Sequence, residues 1–101
     1  MHVKIKPKTY GPLTVQSNDG SALTFETEAG HRADGSLAPA PDAMSPSDLM
    51  LAALASCIAI SMRMAARQMG LELGALNVSA TATKATDLPN RFGRFDVVVR
   101  A

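Results

Sequence analysis

The sequence predicts an α+β domain in which an N-terminal antiparallel meander is followed by one long buried helix and then by further antiparallel strands. Three observations support this class: period-two alternation near the N-terminus, a long apolar run in the middle, and a return to alternation near the C-terminus. The 101 residues are enough for one small domain, residues 1–101. A domain of this size buries a smaller share of its surface than a larger one does, so we expect a partner subunit to contribute to its stability.

The N-terminal third has the pattern of short strands. Residues 2–6, 13–16 and 22–27 alternate apolar with polar side chains, as strands with one covered face do. Asp19-Gly20 lies between the second and third of these segments and is typical of a tight hairpin turn. Residues 30–44 are rich in glycine, proline and small residues and have no period, so they predict a loop.

The helix that follows has clear start and stop signals. Ser45 fits the N-cap position, Pro46 fits the first helical position, and Asp48 lies three residues after Ser45 as in a capping box. Gly70 is placed to end the helix in the left-handed conformation. The pattern predicts a helix of roughly 24 residues that ends just before Gly70.

The first part of this helix is apolar on all sides. In residues 49–62, 12 of 14 side chains are apolar and none is charged. A helix of this kind is buried on every side or lies in a membrane. The uncharged run is shorter than the 18 or more residues typical of a spanning helix. We therefore predict a core helix that is covered by sheet and by a second copy of the chain in a homodimer.

The C-terminal third returns to strand. Residues 77–83 and 95–100 alternate or are rich in β-branched side chains, and residues 87–90 between them favour a turn. The sequence stops at Ala101 within the last of these strands, which leads us to expect that this chain is a truncated version of something longer.

Composition argues against several functions. The 10 basic and 9 acidic residues give a net charge of +1, too weak a field to indicate nucleic acid or an anionic membrane as a partner. His2 and His31 are far apart and form no metal-ligand cluster, and we expect no cofactor. No apolar segment follows the basic N-terminal residues, so we expect no secretory signal and a cytoplasmic protein whose thiol stays reduced.

The single cysteine, Cys57, is the main candidate for chemistry. It is the twelfth residue from Pro46, too deep in the helix for the N-terminal dipole to activate the thiol. A basic side chain from elsewhere would have to do so. Four arginines are candidates: Arg32 in the glycine-rich loop, Arg63 on the same helix, and Arg91 and Arg94 near the last strand. Arg63 lies about 120° around the helix from Cys57 and so points elsewhere.

Each candidate also has a structural interpretation. A free cysteine often packs as a small hydrophobe, and an acidic residue such as Asp48 near a helix start is commonly a cap. Asp48 also lies about 180° around the helix from Cys57. His31 follows a glycine and fits a turn. The methionines at positions 50, 62, 64 and 69 fit adaptable core fillers, and Arg91 and Arg94 fit solvated surface charges.

The segment from Ser45 to Cys57 resembles the OsmC/Ohr superfamily. It has a proline 11 residues before the cysteine, an acidic residue close to that proline, and a run of small residues between them. The resemblance implies an intertwined homodimer with its sites at the interface, and thiol-dependent reduction of organic hydroperoxides. It implies that Cys57 is the nucleophile, which attacks the peroxide bond, releases an alcohol and becomes a sulfenic acid. Arg32 would then stabilise the thiolate.

The sequence departs from the pattern of this superfamily in two places. The hydroperoxide reductases have a glutamate directly after the proline, where this chain has Ser47, and the acidic residue here is Asp48. The resemblance implies that a carboxylate at that place orients the arginine that stabilises the thiolate. A shift of one residue turns a helical side chain by about 100°, so Asp48 does not inherit this role. The superfamily's resolving cysteine, on a C-terminal helix-strand part, would follow Ala101. Three alternatives follow: this chain is a fragment of a longer protein, an external thiol reductant acts as a partner and reduces Cys57, or the protein has lost the activity. The alternative is a non-catalytic OsmC-like dimer that binds a small apolar ligand or has a structural role in stress.

Overall fold

The computed structural model describes residues 6–17, 20–87 and 91–101. The elements in chain order are β1 (Thr14–Gln16), β2 (Ala22–Glu26), β3 (Arg32–Ser36), α1 (Pro46–Gln68), β4 (Asn77–Lys84) and β5 (Phe92–Arg100). One helix and two antiparallel sheets confirm the predicted α+β class. The chain divides into two compact units, Met1–Pro46 and Ser47–Ala101. A single domain over residues 1–101 stays a prediction.

The first unit contains a three-stranded antiparallel sheet in the order β1-β2-β3. This arrangement confirms the predicted meander, but one strand was expected as loop. The sequence of β3, Arg-Ala-Asp-Gly-Ser, has low strand propensity, and pairing with β2 rather than local preference holds it extended. The loop prediction for residues 30–44 is therefore wrong over β3. The strand expected at residues 2–6 lies, except for Lys6, outside the described residues, and Lys6 is not in a strand.

Gly35 makes room for an aromatic ring in this sheet. It pairs with Leu23, and the ring of Phe25 lies across it. A Cβ at position 35 would overlap the edge of that ring and would lie 3.0 Å from the carbonyl oxygen of Met44. Leu23 on the neighbouring strand is 7% exposed and is the buried apolar side chain among the described residues of this unit. A glycine is needed here because no other side chain leaves space for the ring.

The ends of α1 agree with the sequence signals. Ser45 is buried immediately before Pro46. At the other end Gly70 has a φ of 69°. The Leu71 N–H donates to the Ala66 carbonyl at 2.8 Å, and the Gly70 N–H donates to the Arg67 carbonyl at 3.2 Å. These two bonds form a Schellman motif, which supplies donors to carbonyls in the last turn of the helix.

Burial of α1 differs from the prediction. Ala66 is the one buried residue among the 23 of the helix. The prediction that the helix is covered on every side is therefore wrong for the described chain. So small a chain has little core: among the described residues, Leu23 and Ala66 are the buried apolar side chains. The helix is long and apolar enough, by length and composition alone, to cross a membrane. One such helix is weak evidence of a span, because core helices of soluble proteins meet the same two criteria.

The two sides of α1 differ in exposure. One side is half-buried or buried and carries Leu51, Ala55, Ile58, Met62 and Ala66. The opposite side is exposed and carries Ala53, Ser56, Cys57, Ile60 and Met64, which we call the Cys57 face. Ile60 and Met64 are 60% and 58% exposed. The chain thus presents apolar side chains to solvent on one side of its longest element.

Strands β4 and β5 form a two-stranded antiparallel ribbon with one apolar face. Three register pairs build that face: Val78 with Val99, Ala80 with Val97, and Ala82 with Phe95. The alternate pairs carry Asn77, Ser79, Thr81 and Thr83 opposite Arg100, Val98, Asp96 and Arg94. The ribbon confirms the strands predicted at residues 77–83 and 95–100. Residues 88–90 of the expected turn lie outside the described part of the chain.

Candidate functional site

Cys57 lies near the middle of α1, and its thiol is exposed. We predicted that α1 is covered by sheet and by a second copy of the chain, and in the single described chain the Cys57 thiol is not covered. The reason is the same as for the helix as a whole, since no described residue covers this side of α1. Apolar or small side chains surround the thiol on the Cys57 face, and the sequence has no charge from residue 49 to residue 62. The thiol is therefore accessible, and its neighbours along the helix are uncharged.

Arg32 opens strand β3 in the first unit, whereas Cys57 belongs to the second. Its Nε lies 3.5 Å from Oε2 of Glu26, the residue opposite it in the β2–β3 register. Both side chains are at least half exposed, so solvent screens this ion pair and it contributes little to stability. A shallow cavity of about 340 Å³ lies beside Arg32, bordered by Thr24 and Asp34. The sequence did not suggest Glu26 as a partner, because β3 was expected as loop.

Asp48 lies in the first turn of α1 and is half-buried. A carboxylate at this place stabilises the positive end of the helix dipole. It is nine residues before Cys57, hence about 180° around the helix and about 13 Å along the axis. On the same helix, Asp48 and the Cys57 thiol therefore face opposite ways.

Two of the other candidate arginines pair with nearby carboxylates. Arg91 Nη2 lies 2.6 Å and 2.7 Å from the two carboxylate oxygens of Asp87, four residues earlier. Arg94 Nε lies 2.9 Å from both oxygens of Asp96. All four side chains are exposed or half-exposed. These contacts favour the interpretation of Arg91 and Arg94 as surface charges.

Arg63 has a role that the sequence did not reveal. Its Nη1 donates to the Leu73 carbonyl at 3.1 Å and its Nη2 donates to the Gly74 carbonyl at 3.0 Å. The guanidinium thus ties the segment after the helix back to α1. Spacing along the helix correctly indicated that Arg63 points away from Cys57. No local sequence pattern, however, identifies the backbone carbonyls of Leu73 and Gly74 as the acceptors of its hydrogen bonds.

His31 lies in the turn between β2 and β3. Its backbone N–H donates to the Thr27 hydroxyl at 3.0 Å, and its carbonyl accepts from the Thr27 N–H at 2.9 Å. This turn fits the structural interpretation of His31. Over residues 6–17, 20–87 and 91–101, no three histidine, cysteine or acidic side chains come together in a way that could hold a metal ion.

Comparison with known proteins identifies the family. The family described as OsmC-like protein matches residues 39–101, a span that includes α1, Cys57, β4 and β5. Strands β1 to β3, and with them Arg32, lie outside the match. No significant match to a curated protein or to a solved structure was found. Because the match covers more than half of the chain, this protein belongs to the OsmC-like family.

Proposed function

We propose that this OsmC-like protein is a cytoplasmic, thiol-dependent peroxidase that reduces organic hydroperoxides, with Cys57 as the nucleophile. The observation that carries the proposal is the exposed Cys57 thiol among uncharged neighbours on α1, within the segment that matches the family. Apolar side chains next to the thiol on α1 favour the alkyl part of an organic hydroperoxide over a small polar peroxide.

The proposed reaction has two halves. The Cys57 thiolate attacks the outer oxygen of ROOH, the O–O bond breaks, and RO⁻ takes a proton to leave as the alcohol ROH, with Cys57 left as a sulfenic acid. A small thiol then condenses with the sulfenic acid, releasing water and forming a mixed disulfide. A second equivalent of that thiol attacks the disulfide and returns Cys57 to the thiol. The hydroperoxide gains two electrons, and two external thiols supply them.

Arg32 is the arginine that we propose as the thiolate stabiliser. A guanidinium favours the charged form of a nearby sulfur and also donates hydrogen bonds to oxygens of a bound peroxide. The contact with Glu26 involves Nε, and a guanidinium has four further N–H donors on its two terminal nitrogens. Asp48 keeps the role of a helix-start carboxylate in this proposal.

We propose that the working form is a homodimer in which a second copy covers the Cys57 face. Two copies of this face bring no like charges together, since residues 49–62 carry none. Its small residues, Ala53 and Ser56, allow close approach of two helices, and Ile60 and Met64 supply apolar area that solvent now contacts. Pairing would also surround Cys57 with the apolar pocket that the single chain lacks.

The test is to treat the purified protein with cumene hydroperoxide and trap the sulfenic acid with dimedone, followed by peptide mass spectrometry. We expect the adduct on Cys57, and a rate with cumene hydroperoxide that exceeds the rate with hydrogen peroxide. Cys57→Ser is expected to abolish the adduct and the release of cumyl alcohol. Arg32→Gln is expected to slow the reaction, whereas Arg100→Gln, which removes the same charge from β5, serves as the matched control.

The proposal fails if Cys57 reacts with cumene hydroperoxide no faster than free cysteine at the same pH. Equal rates for Arg32→Gln and the unmodified protein would leave Cys57 as the nucleophile but remove Arg32 from the mechanism. If there is no reaction and the apolar surface of α1 still binds a hydrophobic dye, the second candidate function gains support. That candidate is a non-catalytic OsmC-like dimer that holds a small apolar ligand, which the exposed apolar side chains of α1 favour.

A further inference from the structure

A groove of about 570 Å³ lies at the C-terminal end of α1, within the second unit. One wall is the last turns of the helix and the other is the segment at residues 71–74. We call it the C-cap groove and define it by Arg63, Ala66, Arg67, Leu71, Glu72 and Leu73. Its volume lies in the range of small-molecule sites, about 300–1,000 Å³.

Two sets of hydrogen bonds fix the shape of the groove. The Schellman bonds at Gly70 and Leu71 turn the chain sharply at the end of α1. Arg63 then holds the carbonyls of Leu73 and Gly74 at 3.1 Å and 3.0 Å. The guanidinium is therefore held at the groove wall before any ligand arrives, so a ligand would not have to order it.

The charge of the groove suits a monoanion. Arg63 and Arg67 are four residues apart, which places both guanidinium groups on one side of the helix. Among the described residues neither forms a salt bridge, while Glu72 contributes one negative charge to the same groove. The net charge is +1. The Schellman bonds occupy the carbonyls of Ala66 and Arg67 in the last turn of α1, which reduces the repulsion that an anion meets at a helix C-terminus.

The remaining lining is apolar. Ala66 is buried, Leu73 is half-buried and Leu71 is 56% exposed beside the two arginines. A ligand with only a charged head would leave the side chains of Leu71 and Leu73 in contact with water. A ligand with an alkyl chain covers them and gains the free energy of apolar burial.

From this arrangement we propose that the C-cap groove binds a monocarboxylate that carries an alkyl chain, with the carboxylate on the Arg63 and Arg67 guanidinium groups and the chain against Leu71 and Leu73. Carboxylates pair with guanidinium groups through charge-assisted hydrogen bonds. The site is separate from the proposed nucleophile, since Arg63 lies about 9 Å along the helix axis and about 120° around it from Cys57. The inference does not depend on peroxidase activity.

The experiment titrates ¹⁵N-labelled protein with sodium octanoate and follows the backbone amide shifts of residues 63–74. Acetate, which has the head alone, and 1-octanol, which has the chain alone, are the comparison probes. We expect octanoate to bind more tightly than either. Arg67→Gln is expected to weaken octanoate binding about tenfold, the effect of losing one charged partner. Glu72→Gln is expected to tighten it, because it removes the repelling carboxylate.

Arg67 and Glu72 are exposed, so both variants are expected to fold, and circular dichroism checks this. Arg100→Gln removes an arginine outside the groove and is expected to leave octanoate binding unchanged. The inference is overturned if 1-octanol binds as tightly as octanoate, or if Arg67→Gln and Arg100→Gln have the same effect. It is also overturned if Glu72→Gln weakens binding, since the charge argument requires the opposite sign. None of these outcomes bears on whether Cys57 reacts with hydroperoxides.

Discussion

Replacing Ile60 with serine should weaken self-association through the Cys57 face. Ile60 is 60% exposed at the centre of that face, one helical turn from Cys57. Full burial of an isoleucine side chain is worth about 1.5–3 kcal/mol. Covering the exposed 60% is therefore worth about 0.9–1.8 kcal/mol in each copy. A two-fold interface contains the residue twice, so the dissociation constant should rise by roughly 20- to 400-fold.

The assay is sedimentation velocity over a concentration series of the unmodified protein and of Ile60→Ser. Leu37→Ser is the matched control, because Leu37 is 59% exposed but belongs to the first unit and is not part of α1. Circular dichroism should show the same helix content in all three proteins. A monomeric unmodified protein at micromolar concentration would refute the dimer outright. Equal dissociation constants for Ile60→Ser and the unmodified protein would refute the assignment of the interface to this face.

The remaining predictions concern stability and are measured by urea unfolding. Gly35→Ala should destabilise by about 1–3 kcal/mol through overlap with the Phe25 ring, whereas Gly74→Ala, where nothing lies within 4 Å of the added Cβ, should change little. An equal effect of the two changes would contradict the packing argument. Leu23→Ala should lower stability by about 2–3 kcal/mol, since Leu23 is 7% exposed, and a loss below 1 kcal/mol would mean that its site collapses freely. Arg63→Gln should cost about 1 kcal/mol by removing both carbonyl bonds, and it should speed hydrogen exchange at the end of α1.

Local signals in the sequence predicted the helix and most of the strands. The start of the helix at Ser45-Pro46 and its end at Gly70 depend on hydrogen bonds between groups a few residues apart. The residue types at these positions therefore predict both ends of the helix from the sequence. The ribbon of β4 and β5 was predictable for a similar reason, since alternation in each strand mirrors the two faces of an antiparallel pair. The resemblance carried by residues 45–57 also led to the family that the match to residues 39–101 supports.

Features that depend on distant partners were not predictable. Strand β3 is extended because β2 supplies its hydrogen bonds, while its own residues favour a turn. The acceptors of Arg63 are backbone carbonyls, which every residue has, so no residue type marks them. The sequence did not predict that α1 is exposed. An apolar helix sequence indicates which side chains favour burial, but it does not indicate whether the rest of the same chain is large enough to cover them.

The apolar ribbon has a consequence for the behaviour of the protein in solution. Strand β5 has nine residues, and among the described strands only β4 pairs with it, so its other edge is open for addition of a further strand. Its centre is a run of three valines that are 37%, 51% and 38% exposed. Asp96 directly precedes this run, and a charge at such a position opposes the stacking of identical strands. The Asp96 carboxylate therefore counts against aggregation through the open edge of β5.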